Sequence, residues 1–195
     1  MRQRTLELTT LGLFGAIIIL MAFVPQFGFI TFGVVALTII HIPVLIGGFF
    51  GGKKVTLGLA LIFGLASMSQ ALIRPVSFVD VLFQNPLVSV LPRFLFGVVI
   101  VYLSLGVKKL VSNRYLIAMT TFGISTFFHT VFVLSSVYLF SPFFTNLNTF
   151  ANDTPFWPLI TSVMAANGVF EILAAVFIAA PVAVRISAAN PFQES

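Results

Sequence analysis

The chain has 195 residues, of which 59% are hydrophobic and only 8% charged, against about 25% charged in an ordinary soluble domain. With a mean hydropathy of +1.13, this composition describes an integral membrane protein and leaves no room for a separate soluble domain. The net charge of +5 does not point to nucleic acid, because Lys and Arg fall in short membrane-flanking clusters. Cysteine is absent, which excludes a disulfide framework and a thiolate metal site.

A membrane-spanning helix needs about 20 mostly apolar residues, and six such stretches occur. They run approximately over Leu6–Val24, Gly33–Gly51, Val55–Ile73, Leu87–Val107, Tyr115–Phe140 and Pro158–Arg185. The first follows Arg2 and Arg4 in the manner of a signal peptide, but no small-x-small cleavage site comes after it. It reads as a retained helix. The second and third are joined so tightly at Gly51-Gly52-Lys53-Lys54 that they form a hairpin. The expectation is therefore an all-α integral membrane protein, a single transmembrane domain over 1–195 with six helices.

Positive residues set the orientation. With the N-terminus in the cytoplasm, the inner side holds Arg2, Arg4, Lys53, Lys54, Lys108, Lys109, Arg114 and Arg185, and the outer side only Arg74 and Arg93. Both termini are then cytoplasmic. The outer loops are Pro25–Phe32, Arg74–Pro86 and Ser141–Trp157, of which the last two are long. Long loops in a compact protein are more often functional than ornamental, so the working face is expected outside. The last loop carries Phe143, Phe144, Phe150, Phe156 and Trp157, either interfacial aromatics or a lid over a ligand. Asn152-Asp153-Thr154 matches a glycosylation sequon, which is taken as chance.

Small residues recur four apart: Gly12 with Ala16, Gly47 with Gly51, Gly48 with Gly52, and Ala60 with Gly64. Such spacing lets helix backbones approach closely in lipid, either inside the bundle or against a partner. Gly12 and Ala16 are the candidates for a partner, lying near the cytoplasmic end of an otherwise featureless helix.

Polar side chains are scarce in the spans, and ionisable ones there usually face the bundle interior and mark a site. The candidates are His41, Arg93, His129, Asn167 and Glu171. At about 1.5 Å per helical residue, His41, Asn167, His129 and Glu171 fall roughly 12, 14, 17 and 20 Å below the outer ends of their spans. Asn167 and Glu171, four apart, share a helix face. Together the set suits one cavity opening outward. Bland roles are open to each: His41 bonding a carbonyl freed by Pro43, His129 pairing with Glu171, Asn167 joining helices. Arg93 lies in Asn85-Pro86-Leu87…Pro92-Arg93…Gly97, at the lip of the fourth span. It is either an anion clamp in a pocket wall or an arginine snorkelling to headgroups.

No phosphate-binding G-x-x-x-x-G-K-[ST] loop, zinc-binding H-E-x-x-H or G-x-S-x-G element is present. The histidines lack obvious partners for a zinc site. An enzyme is a weak reading. An uncoupled channel is the further alternative, though a polar set that ends near the midplane suits capture better than flow.

The whole chain resembles the substrate-capture subunits, or S components, of energy-coupling-factor (ECF) vitamin transporters. The resemblance rests on His41-Ile42-Pro43-Val44, the glycine-rich Gly47–Gly52, then Gly58, Gly64 and Ser67, then Asn85-Pro86-Leu87 through Pro92-Arg93 to Gly97. It implies an S-component bundle in a bacterial cell membrane that binds a vitamin outside. It also implies docking on a transmembrane coupling subunit and two cytoplasmic ATPases. ATP and Mg would be bound by those partners, and no cofactor by this chain. Gly12 and Ala16 resemble the family's docking motif, with glycine at its first position and one copy only. The His-Ile-Pro-Val and Asn-Pro-Leu…Pro-Arg pattern looks most like pantothenate-type members. On that resemblance Arg93 takes the carboxylate, while Asn85, His41, His129 and Asn167 bond the other polar atoms. Glu171 accepts from a hydroxyl or orients His129. The alternative ligand is a hydroxymethylpyrimidine- or pyridoxine-type vitamin stacked on loop aromatics.

Overall fold

The structure, a computed structural model, describes residues 2–24, 28–32, 35–75, 80–140 and 166–188. The first helix, α1 (Arg2–Phe23), is 22 residues long, about 33 Å at 1.5 Å per residue, enough to cross a hydrocarbon core. Ile18 and Ala22 are buried along one stripe, while Leu8, Leu13, Ile19 and Leu20 lie exposed around the rest. That distribution is expected where the solvent for the outer face is lipid.

Two short strands follow, β1 (Phe29–Phe32) and β2 (Val35–Thr38). They pair antiparallel, with Phe29 opposite Thr38 and Phe32 opposite Val35. This corrects the expectation of a helix beginning at Gly33. Hydropathy measures apolar length but not branching. The run Val35-Ala36-Leu37-Thr38-Ile39-Ile40 is rich in β-branched side chains, which lose rotamer freedom in a helix and fit a strand. The helix begins only at His41, with Pro43 in its first turn, where a missing N–H does little harm.

Helix α2 (His41–Ile73) contains one non-helical residue, Gly52, at φ 78° and ψ −168°. The chain doubles back there. A Cβ placed on Gly48 would lie 2.6 Å from the Thr56 hydroxyl, and one on Gly47 2.6 Å from the Leu59 side chain. In a straight helix residues eight and twelve apart would be separated by about 12 and 18 Å. The element is thus two antiparallel arms, 41–51 and 53–73, hinged at the expected glycine hairpin. The first arm rises only about 16 Å.

A short helix α3 (Asp80–Phe83) lies in the loop expected between Arg74 and Pro86. Gln84 tethers that loop, its Nε2 donating to the Ala71 carbonyl at 3.1 Å. Helix α4 (Pro86–Leu110) starts with Pro at its first position. The Asn113 carboxamide oxygen caps α5 (Arg114–Phe140) by accepting from the Tyr115 N–H at 2.9 Å. The last helix, α6 (Ala166–Ala188), contains a π-helical segment at Ala175–Ala179. Among the described residues, five helices are long and apolar enough to cross a membrane, α2 counting once. The expected six counted each arm of the hairpin as a span. The loop Ser141–Trp157 with its aromatics and sequon, and the start of the last span at Pro158, lie outside the described residues.

Glycine lets the second arm of α2 meet α4 backbone to backbone. A Cβ on Gly64 would lie 2.8 Å from the Val90 Cα, and one on Gly97 2.5 Å from the Ala60 Cβ. Ile18, Val44, Leu45, Leu59, Phe96, Phe122 and Ala175 belong to one continuous core that joins α1, α2, α4, α5 and α6. A smaller cluster of Leu82, Val88, Val133 and Val137 seats α3 against α4 and α5.

Candidate functional site

Between these two clusters lies a cavity of about 180 Å³. Its wall takes Thr38 and Ile40 from the segment leading into α2, then Phe63, Ser67 and Gln70 from the second arm of α2. Asp80 and Phe83 come from α3, Arg93 from α4, His129, Thr130 and Val133 from α5, and Asn167 and Glu171 from α6. Drug-sized pockets run to about 300–1,000 Å³, so the space suits nothing larger than a small molecule.

Arg93 is 7% exposed and faces inward, so it does not snorkel. Its placement follows from its neighbour. Pro92 has no N–H to give to the carbonyl four residues back, that of Val88. The Arg93 guanidinium takes that carbonyl instead, with Nη1 donating at 2.9 Å. Its Cζ stands 4.7 Å from the Phe83 ring centre and 5.6 Å from that of Phe63. Desolvated cation–π contacts of this kind contribute about 2 kcal/mol each. Nε is buried and has no hydrogen-bond partner among the described residues. The side chain is thus fixed by backbone and rings with donor capacity left over.

His129 forms the floor. Its ring centre lies 4.9 Å from that of Phe96, 5.7 Å from Phe63 and 6.2 Å from His41, the two imidazoles stacked at 19°. Neither of its nitrogens has a hydrogen-bond partner among the described residues, so it does not pair with Glu171. Glu171 is 7% exposed and lies beside Thr38, with the Arg93 charge within electrostatic range. One turn up the same face, the Asn167 carboxamide oxygen is buried without a partner among the described residues. Buried polar groups are almost always bonded in folded proteins. Here the free capacity of Arg93, His129 and Asn167 converges on one cavity.

Two expected site residues stand elsewhere. Asn85 is not on the cavity wall; its side-chain oxygen accepts from the Leu87 N–H at 2.9 Å and caps α4. An Asn before Pro at a helix start is better explained by capping than by ligand contact. His41 is fully buried behind His129 and does not line the cavity. Its ring stands beside the Thr38 and Glu171 backbones, and the Ile39 carbonyl that Pro43 leaves open accepts from the Ile42 N–H at 3.0 Å. No three His, Asp or Glu side chains among the described residues are placed to hold a metal ion. Gly12 and Ala16 lie on the exposed face of α1, and a Cβ on Gly12 would meet nothing within 4 Å.

The family model of the substrate-specific component of ECF transporters matches residues 6–184. The chain belongs to this family. It is therefore a transport subunit rather than an enzyme, and a multi-pass protein of a bacterial membrane. The S component is also similar to the pantothenate transporter PanT of Leuconostoc mesenteroides subsp. mesenteroides. The two are 28% identical over 190 residues, which cover 92% of this chain and 91% of that protein.

Sequence reasoning missed part of this S component's wall. Phe63, Ser67 and Gln70 follow the i, i+4, i+7 spacing of one helix face, and two of them are polar within a span. That signal was present. Asp80 and Phe83 carried none, because only the folding of the segment between α2 and α4 into α3 brings them to the cavity.

Proposed function

We propose that this S component captures pantothenate from the outer side of the membrane. It then delivers the vitamin inward with a transmembrane coupling subunit and two ATPases. ATP hydrolysis resides in those partners. The chain forms one transmembrane domain, and both arms of α2 count as membrane segments, making six with the termini on the cytoplasmic side. The Lys and Arg distribution supports that orientation. Family membership supports the coupling, and similarity to a pantothenate transporter supports the ligand.

The observation that carries the ligand assignment is Arg93. A guanidinium held by the Val88 carbonyl and two phenyl rings, with unpaired capacity, is ready for a carboxylate. The Asn167 oxygen accepts from the ligand's amide or a hydroxyl, and His129 bonds a second polar atom. The apolar wall of Phe63, Phe83 and Val133 receives the dimethyl carbon. Asn85 takes no part, and His41 acts from behind His129.

The test is equilibrium binding of water-soluble vitamins to the purified chain without its partners. Pantothenate is expected to bind one to one, without ATP. Loss of a buried charge-assisted contact costs about 3 kcal/mol, so Arg93→Ala should weaken binding on the order of 100-fold. Survival of pantothenate binding within about threefold would remove Arg93 from the site, and tight binding of a different vitamin would overturn the ligand.

A further inference from the structure

Among the described residues, the cavity wall holds one permanent cation and two acids. Arg93 comes from α4, Glu171 from α6 and Asp80 from α3. The other titratable groups around Glu171 are His129 on α5 and His41 at the start of α2, both buried. A carboxylate arriving at Arg93 joins Glu171 as a second anion beside that one guanidinium. Glu171 is the more enclosed of the two acids, since Asp80 is only half-buried. Uncompensated charge in such surroundings is costly enough that a titratable group neutralises instead.

We infer that anion capture at this site takes up a proton, and that Glu171 receives it. The inference rests on the carboxylate reading of the Arg93 site and adds a proton to its stoichiometry. A protonated Glu171 has an O–H to donate, so it changes from a group that repels the incoming carboxylate to one that bonds the ligand. The Thr38 N–H and hydroxyl donate to the carboxyl oxygens, contacts that favour its charged form until the anion arrives. The sign follows directly. Binding that takes up a proton weakens as pH rises, by up to about tenfold per pH unit for one proton.

The experiment is calorimetric titration of the purified full chain with pantothenate, in phosphate and in Tris at matched pH, repeated across pH 6 to 8. The measured enthalpy should differ between buffers by the difference in their ionisation enthalpies times the protons taken up, approaching about one per ligand. Glu171→Gln should still bind, with buffer-independent enthalpy and a flat pH profile. Equal enthalpies in the two buffers with a flat profile in the natural chain would overturn proton uptake while leaving pantothenate capture standing. Proton uptake persisting in Glu171→Gln would overturn the assignment to Glu171. Failure of pantothenate to bind at any pH would overturn both the inference and the carboxylate reading beneath it.

Discussion

At the scale of single residues, the site depends on a backbone defect. Pro92 withholds the N–H that would occupy the Val88 carbonyl, and the adjacent Arg93 uses that carbonyl as its anchor. Proline and arginine therefore work as a pair, one exposing an acceptor and the other consuming it. Pro92→Ala tests this. Alanine restores the N–H, closes the helical bond to Val88 and competes with the guanidinium. The helix should gain stability, since an interior proline costs about 3 kcal/mol. The ligand should lose affinity, because Arg93 must be ordered on binding; immobilising such a side chain costs about 0.5–1.5 kcal/mol, roughly 2- to 12-fold. Thermal unfolding and binding should move in opposite directions, and a simultaneous gain in both would show that the Val88 bond plays no part. The sequence named Arg93, His129, Asn167 and Glu171 because polar groups in lipid are expensive and therefore informative. It named Asn85 as well, because a capping asparagine and a ligand-binding one look alike until the Leu87 N–H is seen against its oxygen.

At the scale of elements, the hairpin at Gly52 was evident from four small or charged residues between two apolar runs, and it is where the chain reverses. The start of the second helix was not evident. An apolar run does not by its length alone distinguish a strand from a helix, and the choice between them is made by the hairpin pairing of Phe29–Phe32 with Val35–Thr38, for which the sequence of either run alone offers only β-branching. The consequence is functional, because the strand end brings Thr38 against Glu171, a contact that a continuous helix from Gly33 would not make. The hinge itself has a measurable cost of substitution. Gly52 occupies φ 78°, ψ −168°, a region populated almost only by glycine, and a side chain there costs about 1–3 kcal/mol. Space is not the obstacle, since a Cβ on Gly52 would meet nothing within 4 Å. Gly52→Ala should therefore lower the thermal midpoint in detergent. Gly106→Ala, equally open but helical, should hold or slightly raise it. Equal midpoints for the two variants would mean the hinge adopts another conformation.

At the scale of the whole molecule, glycine and alanine divide between interior and exterior. A Cβ on Gly47, Gly48 or Gly64 would clash with a neighbouring segment of the chain, and one on Gly97 with Ala60, so these small residues serve internal packing. Gly12 and Ala16 differ. They lie on the face of α1 that none of the described residues covers, between the exposed Leu8, Leu13 and Ile19, whereas Gly15 on the opposite face packs against Ile62. Lipid requires no small residues on a helix surface; another helix backbone does. A spacing alone did not separate these roles in the sequence, because both produce the same four-residue repeat, and only the packing of α1 on α2 tells which side is free. Filling that groove should leave the cavity untouched, since no residue of α1 lines it. Gly12→Leu with Ala16→Leu is therefore expected to bind pantothenate with natural affinity, because the two leucines add bulk only to the outer face. Co-purification with the coupling subunit and ATPases should fall to background, and uptake in cells with it. An intact complex carrying both leucines would place docking on another face of the bundle. Weakened pantothenate binding would mean that α1 is coupled to the cavity through the buried stripe of Ile18 and Ala22.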